Sequence, residues 1–346
     1  MRHRLLRPRS SVFPFVPLLV AASLLAASAA PAQPPAPVNA GELEIALDKL
    51  LVVGNVLYVA AHPDDENTAL LAYLSKGRKV RAAYLALTRG DGGQNLIGAE
   101  KGERIGVIRT QELMAARRVD GAEQYFTRAI DFGYSKTPQE TMATWEREQV
   151  LSDVVRVYRT FRPDVVICRF PKNGDGGHGH HTASALIAEE AFEAAGDPKR
   201  FPEQITRDGL SPWKGRRLFW NAWRIDPAKR DPKLPKLVPV DVGAYEPLLG
   251  RAWSEIAAES RTMHKSQGFG SAERRGSQVN WLEPLAGEPS ENDFLEGIDL
   301  TWKRVAGSAP VEAALRRARA AYRPGEPALA LPVSYTHLTL PTNREV

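Results

Sequence analysis

The sequence is nearly without cysteine: Cys168 is the single one in 346 residues. One thiol can form no internal disulfide, so the fold must rest on a packed core. Cys168 closes the apolar run Asp164–Cys168, which reads as a strand and makes it an inert buried thiol rather than a nucleophile. Long apolar runs are missing beyond residue 29, which excludes a later membrane-spanning helix of the usual ~20 residues. Basic excess is also small. The formal charge is +5, and removing Arg2, Arg4, Arg7 and Arg9 takes it to +1. No basic stripe argues for nucleic acid. There is no internal repeat. The glycine-rich loop Gly90–Asn95 is not followed by Gly-Lys-Ser/Thr, which excludes a P-loop. What remains is 43% apolar and 25% charged, the profile of a globular protein with a sizeable core.

The chain divides by composition. Arginines precede the apolar stretch Val12–Ala29, which ends in small residues. Residues 1–32 therefore read as a secretory signal peptide, cleaved near Ala30 or Gln33, and the protein is expected to be exported, periplasmic or extracellular. Residues 33–45 are expected to be a linker, with Pro and Ala concentrated over 33–40. A domain is expected over 46–300, with the start of a further region over 301–332. Residues 333–346 read as a non-native read-through tail, and the natural chain is expected to continue past 332.

Within the domain, short apolar runs alternate with helical patterns. Strands are expected at Val56–Ala61, Lys79–Leu87, Gln124–Thr127 and Asp164–Cys168, then at Arg217–Trp223 and Lys236–Val242. Helices are expected at Asn67–Lys76, Glu103–Val119, Pro138–Phe161, Thr182–Ala195 and Glu246–His264. Residues 265–297 read as loop. This pattern predicts an α/β fold: a Rossmann-like, mostly parallel sheet with helices on both faces.

Histidine is scarce and unevenly placed. Of seven, His3 and His337 lie in the terminal segments, and four of the other five are His62, His178, His180 and His181. Ala61-His62-Pro63-Asp64-Asp65-Glu66 follows the first expected strand, and His178-Gly179-His180-His181 follows the strand that ends at Cys168. Ligands of open α/β sheets bind at such strand ends. A catalytic zinc takes three protein ligands and keeps one position open. His62 and Asp65 can converge across the turn, and His181 is the best third ligand. Asp64 is left to act as general base, and His178 to stabilise an oxyanion or protonate a leaving amine. Two His and one carboxylate also suit other divalent ions.

These residues resemble the PIG-L or LmbE-like family of zinc-dependent N-acetyl deacetylases. Its Ala-His-Pro-Asp-Asp-Glu motif is matched in full at 61–66, and its His-x-x-His motif at His178 and His181. The family's usual Pro-Asp inside the second motif is Gly179-His180 here. The long form Asn173–Ser184, Gly90–Asn95 and His264–Gly268 resembles a subgroup of large secreted bacterial members. The resemblance implies His62, Asp65 and His181 as ligands of one zinc ion, Asp64 as base and His178 as electrophile. It also implies Arg109, of an Arg-x-x-Glu pair with Glu112, as a substrate contact. Asn95 and His264 are further substrate candidates.

The expected activity is removal of an N-acetyl group from an amino sugar, glycan or related small amide, with no nucleic-acid partner and no membrane span after signal cleavage. Two alternatives stand beside it: a non-catalytic glycan-binding module of the same fold, and another single-metal hydrolase.

Overall fold

The computed structural model describes residues 38–223 and 225–331. The signal segment, residues 33–37 of the expected linker and the tail at 333–346 lie outside the described residues. Among the described residues, no helix is long and apolar enough to cross a membrane.

Seven strands form one sheet in the order β3-β2-β1-β4-β5-β9-β6. Strands β1 (Asn55–Ala60), β2 (Arg81–Ala86), β3 (Glu123–Phe126), β4 (Val165–Cys168) and β5 (Arg217–Ala222) are parallel. Strands β6 (Val238–Asp241) and β9 (Val279–Gly287) add an antiparallel edge. The expected Rossmann-like sheet is therefore present, in the 3-2-1-4-5 strand order.

Both faces of this sheet are covered, so the central strands β1, β2 and β4 are apolar at nearly every position rather than alternating with polar residues. Val56, Tyr58 and Ala60 of β1 pack with Leu70, Leu71 and Leu74, and with Leu113 of helix α3 (Glu103–Asp120). Leu57 and Val59 face the opposite layer, with Val150, Val154 and Phe161 of α5 (Arg147–Phe161) and Ile187 and Ala191 of α6 (Gly179–Ala194). Cys168 lies buried in that second layer, and burial pushes its thiol up to about 12, as an inert packing residue requires.

Several boundaries differ from expectation for identifiable reasons. Helix α1 (Ala40–Lys49) begins inside the expected linker. It is held from the far end of the chain, where Arg319 pairs with Glu44 and Asp48. Arg304 likewise binds Asp164. Residues 301–331 are thus tied to the domain through Arg304 and Arg319.

The expected helix 138–161 is two helices, α4 (Pro138–Thr144) and α5, broken where Glu146 takes φ 51° and Trp145 is pinned by an indole bond to Ile130 O at 2.9 Å. Residues 68–77 form α2 (Thr68–Ala72), continued by a π turn. The short α7 (Glu203–Thr206) follows α6.

The helix expected from Glu246 starts only at Trp253, as α8 (Trp253–Thr262). Its start is set by Glu255, which accepts the Ala252 N–H at 2.7 Å, the N3-to-N-cap bond of a capping box. The residues before it form a small hairpin, β7 (Tyr245–Glu246) and β8 (Arg251–Ala252). Strand β9 lies in the expected loop region. It carries Pro284, at the register shift opposite Leu218 and Phe219, and a proline that cannot donate to a ladder masks a strand pattern. Helix α9 (Ala309–Ala321) completes the fold.

Candidate metal centre

Strands β2 and β3 lie to one side of β1, and β4 and β5 to the other. The chain reverses direction of sheet growth there, and the carboxyl ends of β1 and β4 flank a topological switch point, where such sheets bind ligands. The turn after β1 is anchored firmly. Thr88 N–H bonds Ala61 O at 2.9 Å, and the Tyr84 hydroxyl donates to His62 O at 2.5 Å. After β4, helix α6 opens with His178 as its N-cap, three residues before the start expected from sequence. His180 and His181 therefore stand in its first turn and project to different sides.

The two clusters meet. His62 Nδ1 lies 3.0 Å from Asp65 Oδ2, and His181 Nε2 lies 3.6 Å from Asp65 Oδ1. Donor atoms of the three residues fall within 4.8 Å of one another. Ligand atoms on a tetrahedral zinc with bonds of about 2.0–2.1 Å stand roughly 3.3 Å apart, so the set fits one such ion.

Ring orientation fits as well. His181 Nδ1 sits 2.8 Å from Gly176 O, and a carbonyl can only accept, so that nitrogen carries the proton and Nε2 presents a lone pair. Phe170 stacks on the same ring, centroids 3.7 Å apart. Asp65 is pushed up by burial, but His181 and His62 outweigh this and hold its carboxyl well below the usual carboxylate range. His62 is pushed down by burial and raised on balance by Asp65. A proton held in that pair is what a cation displaces on binding. His62, His178 and His180 form a second nitrogen cluster. It lacks an anion, and His180 is wholly buried with its Nδ1 already 2.9 Å from His62 Nε2.

Asp64 is held in an unusual conformation, φ 88°, a region that Asp enters more readily than most side chains. Three contacts maintain it. Its N–H donates to Glu66 Oε2 at 2.9 Å, its carbonyl accepts from Arg261 Nη1 at 2.6 Å, and its Oδ1 accepts from Arg109 Nη2 at 2.9 Å. Oδ2 has no protein partner among the described residues. Burial raises the carboxyl to about 6; Arg109 opposes this, and Asp65 and Glu66 reinforce it. Such a group can both take and return a proton near neutrality. His178 Nδ1 accepts from the backbone N–H groups of Ser135 and His180, at 3.4 and 3.3 Å, which leaves the proton of the neutral ring on Nε2, an atom with no partner among the described residues. Burial, then His62 and His181, lower this imidazole to about 4.

The three substrate candidates each have protein partners. Arg109 is buried and bound to Pro63 O, Asp64 and Gly90 O, so it braces the base. Its sequence partner Glu112 instead binds the Ser266 N–H and hydroxyl, both at 2.6 Å. Asn95 is tied within its own loop to Glu100 and the Ile97 N–H. His264 is fully buried, with Nε2 2.8 Å from Glu66 Oε1.

Glu66 and Arg117 form a further support behind the site. Glu66 accepts from Arg117 at 3.1 Å, and Arg117 also binds Asp120 at 2.6 Å, with all three side chains buried. Burial raises Glu66, but His264 and Arg117 bring it down to about 2. No local pattern marks this cluster, because Arg117 reads as an ordinary helix cation. Arg117→Met strands two buried carboxylates and is expected to lower unfolding stability by about 3–5 kcal/mol, measured as a urea midpoint shift; a loss under ~1 kcal/mol would show the cluster to be solvated.

The fold and this site define an α/β protein with a two-His, one-Asp centre at a parallel-sheet switch point. Residues 57–192, which include every residue of the centre, match the family described as PIG-L: GlcNAc-PI de-N-acetylase, and they are a PIG-L domain. The chain is 33% identical over 184 residues to a 1D-myo-inositol 2-acetamido-2-deoxy-alpha-D-glucopyranoside deacetylase of Geodermatophilus obscurus, covering 48% of this chain and 60% of that relative. It is 28% identical over 223 residues to the mycothiol S-conjugate amidase of Streptomyces coelicolor, covering 60% and 74%. Among solved structures it is similar to N,N'-diacetylchitobiose deacetylase from Pyrococcus horikoshii, with TM-score 0.46 and 20% identity over 62% of this chain and 70% of that one.

Proposed function

We propose that the protein is an exported, zinc-dependent N-acetyl deacetylase acting on an amino sugar or a related small amide. The observation that carries this reading is the convergence of His62 Nδ1, Asp65 and His181 Nε2 beside the braced carboxylate of Asp64. The PIG-L match, and relatives named as a deacetylase and an amidase, support amide chemistry. The arginines before Val12–Ala29 support export.

His62, Asp65 and His181 would hold the ion. When bound, zinc supplies a Lewis acid that acidifies water and polarises an amide carbonyl. Asp64, oriented by Arg109, takes a proton from the attacking water through Oδ2. His178 Nε2 donates to the carbonyl oxygen as it gains charge. Protonated Asp64 then returns its proton to the nitrogen as the C–N bond breaks, giving acetate and a free amine. The neutral state favoured for His178 suits hydrogen-bond donation. Against a purely glycan-binding module stands the bracing of Asp64, which holding a metal does not require.

The test is acetate release from a panel of N-acetyl amino sugars by the secreted chain, whose first residue is expected near Ala30 or Gln33. Acetate and amine are expected in equal amounts, lost on chelation and restored by zinc. A zinc-loaded protein that releases no acetate from any member would overturn the reading.

A further inference from the structure

The second histidine motif differs from the family form at Gly179-His180, and the structure gives these residues a definite place. His180 has no exposed surface. Its ring is enclosed by Phe132, centroids 4.4 Å apart, and by Trp145 at 4.9 Å, so it cannot turn without disturbing the layer beneath α6. Its Nδ1 faces His62 Nε2 at 2.9 Å. Asp131 Oδ1 is 3.7 Å from the same nitrogen, beyond hydrogen-bond reach, and receives the Gly133 N–H instead.

Gly179 makes this placement possible. A Cβ there would lie 2.2 Å from Ser135 Oγ and 2.4 Å from Thr137 O, so only glycine lets the first turn of α6 settle against residues 135–137.

A neutral imidazole has one donor and one acceptor nitrogen, and the partner of one nitrogen decides what the other presents. For His62 to offer a lone pair at Nδ1, beside Asp65, its proton must sit on Nε2. A proton on Nε2 needs an acceptor, and His180 Nδ1 is the one within reach. His180 Nε2 then carries a proton and is buried without a partner, a penalty incurred in holding the ring this way round.

We infer that His180 is a positioning residue for the metal centre, a neutral hydrogen-bond acceptor that locks His62 in the tautomer able to ligate through Nδ1. This rests on the zinc-centre reading above. A ligating histidine usually donates its other N–H to a carboxylate, carbonyl or water; here a second histidine takes that proton, without adding negative charge. One helical turn thus delivers a ligand, His181, and the support of a ligand on another element.

The experiment is zinc affinity by chelator competition for the parent, His180→Leu and His180→Asn, with nitrogen NMR of 15N-histidine-labelled, zinc-loaded parent. Leucine fills the cage but accepts nothing, and is expected to weaken zinc binding by about 10–100-fold, the range for lost outer-shell bonds. Asparagine can present an oxygen near the Nδ1 position and is expected to restore most of the loss, which a merely space-filling role would not produce. In the loaded parent, His62 is expected to be protonated at Nε2 and His180 unprotonated at Nδ1. His180→Leu binding zinc as tightly as the parent would overturn the inference. So would a proton found on His180 Nδ1, a result that stands even if the leucine variant fails to fold. A parent that binds no zinc would overturn the metal-centre reading itself, and is seen before any variant is compared.

Discussion

His181→Ala is expected to take the protein from about one zinc per chain to almost none, and acetate release to background with it. His181 is the only described bridge between α6 and the carboxylate of Asp65, at 3.6 Å. Without it, the His62–Asp65 pair remains on a single turn, and two ligands do not retain a catalytic ion against competing chelators. The loss should exceed the ~10–100-fold that outer-shell changes produce. Metal content after purification without added metal checks it, with circular dichroism to confirm folding. Phe170, stacked on the His181 ring, would face a small void, so a modest stability loss is expected alongside. A variant that keeps its zinc would mean that the two clusters do not form one centre.

Asp64→Asn is expected to separate chemistry from metal binding. The amide has the shape of the carboxylate, can still accept from Arg109 through its oxygen, and tolerates positive φ. Zinc content should therefore stay at the parent level. What is lost is the ability to take a proton from water, and general-base groups contribute about 10²–10⁴-fold. The expected result is a fall in kcat of that size with little change in KM. Loss of zinc in Asp64→Asn would make Asp64 part of the ligand set; an unchanged kcat would move the base elsewhere, with His178 next in line. Asparagine is the informative choice because alanine would also release Arg109, which is buried and bound to Asp64 Oδ1 at 2.9 Å, and so disturb the turn.

These two residues differ in how openly the chain declares them. Asp64 and Asp65 follow a strand in a short run whose meaning is local: an apolar stretch, a sharp turn, a helix. The same holds for β4 and the histidines after it. Strand ends and helix starts are set by nearest-neighbour sterics and hydrogen bonding, so residues a few positions apart announce them. Even there, the start of α6 was legible only to within three residues. That small shift matters, since it decides whether His180 lies in a loop or on a helix, and adjacent helical residues face about 100° apart.

From the amino-acid order alone came the alternation of apolar strands with helices, the parallel sheet, and the two clusters at strand ends with the candidate ligand set His62, Asp65 and His181. Only the tertiary structure decided the supports of the site. Arg109 is marked in the sequence only by the family resemblance, and the fold brings it to Asp64. His264 gives no local sign of its buried contact with Glu66, a partner 198 positions away. His180 reads as a departure from a motif until its ring is seen against His62. The tertiary structure also decided the break at Glu146 and the strand through Pro284, where packing overrode local preference. The physical reason is common to these cases. Periodicity reports which face of an element is apolar, but a buried ion pair or hydrogen bond forms wherever distant elements leave a polar group without water, and that depends on how the layers close around the sheet.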